Sequence, residues 1–213
     1  MLFQSDDAIV FAEKLLAIEA IKLRPNEPFT WASGWRSPIY CDNRLTLSYP
    51  EVRTWIKNTL AKGIRQQFPN VEVIAGVATA GIPHAALVAD AMGLPMIYVR
   101  SEAKKHGLSN QIEGRCAPGS RVVVIEDLVS TGGSSLTAVA ALRNVEAQVL
   151  GMAALFTYAF PVADEAFNAA SCKLFTLSDY PSLITHAVKN QIIPADTADM
   201  LNTWRESPST WMQ

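Results

Sequence analysis

Cysteine is scarce in this 213-residue chain, and what there is of it is scattered: only Cys41, Cys116 and Cys172 occur. An odd, widely spaced set forms neither a disulfide framework nor a zinc-ligand pattern, and free thiols suit a reducing cytoplasm. Charge of one sign is also lacking. Lys plus Arg is 18 and Asp plus Glu is 20, a formal balance of −2. That excludes a general nucleic-acid-binding surface, so any basic residues that matter must act locally. Long hydrophobic runs are missing too. The apolar zone over 71–99 is broken by Pro83, His84, Asp90 and Pro95, which reads as strand–helix–strand and gives no membrane span. The opening residues turn acidic at Asp6 and Asp7 and lack a signal-peptide pattern, so a cytoplasmic location is expected. There is no internal repeat and no low-complexity linker. Gly-Lys-Ser/Thr at Walker spacing is absent, as is Gly-x-Gly-x-x-Gly, which excludes a P-loop and a dinucleotide fingerprint.

Hydrophobic residues, by contrast, make up 49% of the chain, enough for a substantial core, and the length suits one domain spanning 1–213 with a small appended part. The most informative stretch is Arg121-Val122-Val123-Val124-Ile125-Glu126-Asp127-Leu128-Val129-Ser130-Thr131-Gly132-Gly133-Ser134-Ser135. A β-branched apolar run predicts a strand covered on both faces. An acidic strand end follows, then a hydroxyl- and glycine-rich turn. Leu136, Val139, Ala140 and Leu142 then fall at helical spacing, so a helix opens after the turn. Its unpaired N–H groups and dipole form an anion site. Gly132 and Gly133 let a phosphate approach the backbone. Ser130, Thr131 and Ser134 add hydroxyl donors. Glu126 and Asp127 would repel a phosphate unless a polyhydroxylated group stood between them, which a ribose 5-phosphate supplies. The plainer alternative is an ordinary capped helix beside a solvated acidic pair.

This pattern resembles the phosphoribosyl pyrophosphate (PRPP) motif of type I phosphoribosyltransferases. A second segment, Phe29-Thr30-Trp31-Ala32-Ser33-Gly34-Trp35-Arg36-Ser37-Pro38-Ile39-Tyr40, is similar to the N-terminal hood of orotate phosphoribosyltransferases. A third, Arg100-Ser101-Glu102-Ala103-Lys104-Lys105-His106-Gly107, resembles that family's basic loop, with Ser101 where a lysine is common. The chain is thereby identified as similar to orotate phosphoribosyltransferases over roughly 29–160.

The resemblance implies an α/β fold, a parallel sheet flanked by helices, with a hood drawn mainly from about 24–48. It implies transfer of the phosphoribosyl group of PRPP to orotate in pyrimidine biosynthesis. Arg100, Lys104 and His106 carry over as catalytic groups on the leaving pyrophosphate. The PRPP contacts carried over are Arg100, Lys104, Lys105, His106, Glu126, Asp127, Leu128, Val129, Ser130, Thr131, Gly132, Gly133 and Ser134, and the orotate contacts are Ser130 and Tyr40. Mg²⁺ is implied as cofactor, held by substrate oxygens with no protein ligand set. A homodimer is implied, with the 101–114 loop shared between subunits, and neither nucleic acid nor membrane as partner. In the family the Gly76-Val77-Ala78-Thr79-Ala80-Gly81 turn holds pyrophosphate, although Ala80 stands where many relatives carry lysine. Some relatives also place an arginine for the orotate carboxylate near Thr157-Tyr158. This chain has no Arg or Lys over 151–168. Transfer to another base, and a PRPP-sensing regulator without turnover, are the alternative readings.

Elsewhere, Ser5 is expected to cap a helix over about 5–23 with Ile9, Leu15, Leu16 and Ile18 buried. Further helices are expected over about 50–68, 180–191 and 195–204, and strands over 71–75, 96–99, 147–156 and 173–177. His84 and His186 are read as structural.

Overall fold

The computed structural model describes residues 1–31, 33–100 and 111–212. The chain opens with α1 (Ser5–Ala17). Four short strands follow: β1 (Ile21–Leu23), β2 (Phe29–Thr30), β3 (Arg36–Ser37) and β4 (Ile39–Cys41). A 3-10 helix, Asn43–Ser48, leads to α2 (Pro50–Gln67). The alternating part then runs β5 (Val73–Val77), α3 (Gly81–Met92), β6 (Met96–Val99), β7 (Ile112–Glu113), β8 (Arg121–Val129) and α4 (Gly133–Asn144). It closes with β9 (Gln148–Thr157), α5 (Pro161–Ala169), β10 (Leu174–Asp179), α6 (Tyr180–Lys189) and α7 (Thr197–Glu206). No helix among the described residues is long and apolar enough to cross a membrane.

Six strands form one sheet in the order β10-β9-β8-β5-β6-β7. All pairings are parallel except β6 with β7. The chain steps from β5 outward to β6 and then returns to β8 on β5's other side. The strand order therefore reverses between β5 and β8, the place where open α/β sheets hold ligands beyond the strands' carboxyl ends.

The unbroken apolar run in β8 has a simple cause. Val123 and Ile125 enter a core with Phe11, Leu60, Val88 and Leu183 from α1, α2, α3 and α6. Val122 and Val124 enter a second core with Leu142 of α4 and Phe167 of α5. Both faces are covered, so both sets of alternating side chains are apolar. Each fully buried valine or leucine contributes roughly 1.5–3 kcal/mol by leaving water. Gly81 lets α3 lie directly on this strand: a Cβ there would stand 2.6 Å from the Ile125 carbonyl oxygen.

Several expectations need correcting. The first helix stops at Ala17 rather than near 23, and Glu19 takes a positive φ of 54°. Residues 21–23 pair instead with β4, Ile21 opposite Cys41 and Leu23 opposite Ile39, so tertiary pairing overrides local helical pattern. The residue at the N-cap is Gln4, and no side chain caps the helix there. Its buried side is Ala8, Phe11, Ala12 and Leu15, while Ile9 is exposed and Leu16 and Ile18 are half-buried. The strand expected over 71–75 sits two residues later, and β8 runs through the acidic pair to Val129, with Glu126 opposite Ala154 in β9. The last two helices are shifted by about a turn at most from the spans expected for them.

Candidate active site

Two hollows meet at the carboxyl ends of the strands. The smaller, about 100 Å³, lies between Val77, Ala78, Arg100, Ser134 and Thr137, where the turns after β5, β6 and β8 converge. The larger, about 290 Å³, lies under the hood and is lined by Thr30, Trp31, Tyr40, Leu128, Ser130 and Tyr158. The turn from β8 to α4 joins them, with Ser130 on one wall and Ser134 on the other. A still larger hollow of about 640 Å³ sits against Met1, Asp164 and Lys173 at the start of β10. It is far along the chain from the switch point and brings none of the motif residues together.

The joining turn is shaped for an anion. Gly132 precedes α4 with φ of 86°, a conformation that favours glycine. It is buried, and a Cβ there would meet the Phe167 ring at 3.0 Å. Gly133 instead faces open space. No side chain caps α4, and the first amide to find an acceptor is that of Leu136, which donates to the Gly132 carbonyl at 2.9 Å. The N–H groups of Gly132, Gly133 and Ser134 meet no acceptor among the described residues, which leaves them for a ligand.

The acidic pair is not a solvated one. Glu126 is 5% exposed, and its oxygens accept from the Asp127 N–H at 3.1 Å and the Ser135 hydroxyl at 2.9 Å. Burial, and next the adjacent Asp127 carboxylate, push Glu126 up to about 8. Asp127 is raised too, chiefly by burial, while a hydrogen bond from Glu126 works against that rise. Of the two, Glu126 is the one held toward its neutral form at neutral pH. Across the site, the buried Asn43 donates through Nδ2 to the Asp127 carbonyl at 2.6 Å and ties the hood to the strand end.

Of the residues read from sequence, Leu128 and Ser130 line the hood cavity beside Tyr40, and Ser134 faces Arg100 across the small hollow. Arg100 lies 3.7 Å from the Glu113 carboxylate, and its N–H donates to the Gln111 carbonyl at 2.8 Å. Thr131 points outward toward Trp35 and Pro161. The Val129 side chain is buried in the second core, and its carbonyl is taken by Thr157 Oγ1 and Tyr158 N–H. Lys104, Lys105 and His106 lie outside the described residues. The Ala78–Thr79 peptide bond in the turn after β5 is cis. His84 is enclosed, and burial lowers it to about 4, so it is neutral. His186 is nearly enclosed as well. Sequence reasoning missed Asn43, Ser135 and Tyr158 as site residues. Asn43 lies within the hood segment and Tyr158 directly after β9, but only their three-dimensional placement sets them apart.

A fold with this switch point and this strand–turn–helix anion cradle is that of a phosphoribosyl-transfer protein, and the sequence model of the phosphoribosyl transferase domain matches residues 47–178. More narrowly, the chain belongs to the orotate phosphoribosyltransferase family. It is 55% identical over 202 residues to the orotate phosphoribosyltransferase of Porphyromonas gingivalis, covering 95% of this chain and 96% of that one. It is 56% identical over 200 residues to that of Streptococcus gordonii, covering 94% and 96%. Among solved structures, it resembles the orotate phosphoribosyltransferase of Aeropyrum pernix with a TM-score of 0.74 at 28% identity, over 86% of this chain and 99% of that one. The Mycobacterium tuberculosis orotate phosphoribosyltransferase in complex with PRPP gives 0.65 at 27% identity, over 83% and 98%.

Proposed function

We propose that this protein transfers the phosphoribosyl group of PRPP to orotate, giving orotidine 5′-monophosphate and pyrophosphate. One observation carries the reading: a single turn, from Ser130 to Ser134, forms a wall of both hollows, with free helix N–H groups between them. A molecule with a phosphate in the turn can then present its reacting carbon to a flat base under the hood.

In this reading the 5-phosphate lies on the amides from Ser130 to Ser134 and on the Ser130 and Ser134 hydroxyls, with Thr131 giving its backbone N–H and not its outward hydroxyl. The ribose diol meets Glu126 and Asp127. The bond from the ribose carbon to the pyrophosphate oxygen breaks, the orotate ring N1 forms the new bond, and the N1 proton passes to the departing pyrophosphate or to water. Negative charge grows on the leaving group, where Arg100, Lys104, Lys105 and His106 stabilise it. The carboxylate of Asp127 offsets the positive charge that grows on the ribose. Leu128 and Tyr40 bound the base, and Ser130 reaches both substrates. Among the described residues no cluster of three or more His, Cys, Asp or Glu side chains surrounds an ion site. With Asp127 as the charged group at hand, the residues fit Mg²⁺ held mainly by substrate oxygens. Bound there, Mg²⁺ would neutralise charge on the pyrophosphate.

We further propose a homodimer in which the 101–114 segment of one subunit serves its partner's site, and a cytoplasmic location. The three free cysteines accord with the latter. Following orotate absorbance after adding PRPP and Mg²⁺, against a panel of other bases, tests the reaction. Loss of orotate is expected. Consumption of adenine or uracil in its place would overturn the assignment. Mixing Lys104→Ala with Asp127→Asn subunits tests sharing, and absence of recovered activity in mixed dimers would refute it.

A further inference from the structure

The hood cavity raises a question that the proposed reaction leaves open. Orotate carries an acidic group and two carbonyl oxygens, yet no lining side chain among the described residues is cationic. The donors at hand among the described lining residues are neutral. The Trp31 indole N–H is already spent on the Ile39 carbonyl at 3.1 Å. Tyr40 stands at the rim and is 42% exposed. Tyr158 is different in kind. Only 3% of it is exposed, but its hydroxyl has no hydrogen-bond partner among the described residues and lines the cavity. The comparison with Tyr180 is direct: that tyrosine is also buried, and its hydroxyl donates to the Leu201 carbonyl at 3.1 Å. The Tyr158 oxygen is not among the enclosed side-chain atoms that lack a partner, so it opens into the cavity and is free to meet a ligand acceptor.

The ring of Tyr158 is clamped from several sides. Trp31 lies at 5.0 Å between centroids, Phe160 at 5.4 Å and Trp204 at 5.8 Å. The backbone is fixed as well. Tyr158 N–H donates to Val129 O at 3.2 Å, and Ala159 N–H donates to Thr157 Oγ1 at 3.0 Å. Arg205 of α7 holds the Ala159 carbonyl at 3.0 Å. A donor so constrained has one direction to point, and little entropy is lost when it binds.

We infer that the Tyr158 hydroxyl donates a hydrogen bond to an acceptor oxygen of the bound base and is a specificity-determining residue of the hood cavity. The inference rests on the proposed transfer to orotate. Burial, then the neighbouring Cys41, Asp127 and Tyr40, keep this hydroxyl protonated well beyond the ordinary tyrosine range, so it remains a donor at any working pH. Trp31 and Trp204 act behind it as positioning residues.

The test is Tyr158→Phe, which keeps the clamped ring and removes only the oxygen. Steady-state kinetics with both substrates varied should show KM for orotate rising roughly 10-fold or more, as for a lost hydrogen bond to a charged or strongly polar partner. KM for PRPP should stay within about twofold, because the phosphate turn is untouched. Tyr40→Phe, the same deletion at the rim, should move KM for orotate less. An unchanged orotate KM in Tyr158→Phe, a parallel rise in both KM values, or a larger effect from Tyr40→Phe would each overturn the inference while leaving the transfer reaction standing. A wild-type protein that consumes no orotate would take both down. If Tyr158→Phe melts well below the wild type, orotidine 5′-monophosphate affinity measured by calorimetry on the folded variant decides, and an unchanged value overturns it.

Discussion

The two halves of the site are built in opposite ways. The phosphate half comes from one continuous stretch, a strand, a turn and a helix start between Arg121 and Asn144. The base half is gathered from residues far apart: Thr30, Trp31 and Tyr40 in the hood, Ser130 after β8, Tyr158 after β9, with Trp204 of α7 behind them. In the proposed reading the first half works through backbone groups and needs few particular side chains. The half proposed to take the base is built of packed rings, which the whole fold must deliver to one place. A local change should therefore injure the first half locally, whereas the second should be sensitive to changes at a distance.

The largest expected effect sharpens that contrast. Trp204 is fully buried, touches Trp31, Tyr158, Phe160 and Tyr180, and donates through Nε1 to the Arg36 carbonyl at 3.2 Å. Trp204→Ala should cost about 3–5 kcal/mol of stability, read by denaturant unfolding. In the protein that remains folded, orotate KM should rise more than PRPP KM. Equal rises would break the division into halves. Lys104→Ala should lower turnover by about 10²–10³-fold with little change in melting temperature, checked by steady-state assay beside a thermal scan. An unchanged turnover would count against the basic segment as the leaving-group site.

Gly132→Ala comes next. It places a side chain at φ of 86° and within 3.0 Å of Phe167. A loss of about 1–3 kcal/mol in stability is expected, with weaker PRPP binding by calorimetry. The smallest effect is that of Glu126→Gln. The folded carboxyl of Glu126 sits at about 8, above its ordinary 4.5, so the fold favours its neutral form. Its contribution to stability is complete below the ordinary value and is lost as pH rises through about 8. Between about pH 5 and about pH 9 the wild type should lose melting temperature relative to Glu126→Gln. A wild-type protein that instead gains on the variant with rising pH would show that Glu126 is ionised in the fold.

The same contrast explains what could be read from the amino acids alone. Val122 to Ser134 announces itself because the strand, the acids, the glycines and the hydroxyls are neighbours in sequence and each has a local reason to be there. The alternation of strands and helices from β5 to β10 was legible on the same grounds. The boundaries of α1 were not, because Ile21–Leu23 leaves helical pattern to pair with Ile39–Cys41, a partner that only the folded chain supplies. Nor was the division of labour between Glu126 and Asp127. Adjacent residues of a strand project to opposite faces, but which face holds Ser135 depends on how α4 lies on the sheet. Tyr158 was marked only as the neighbourhood where some relatives carry an arginine, and its surroundings come from hood, β9 and α7 together.

The bond from Asn43 to the Asp127 carbonyl gives the two halves a shared joint. It is short, buried on the asparagine side, and spans 84 positions of chain. A hood that lifts to admit a flat ring must either carry the Asp127 peptide along or abandon the contact, at a cost of about 1–3 kcal/mol. Movement of the hood is in this way geared to the backbone of the very residue whose carboxylate is proposed to face the sugar.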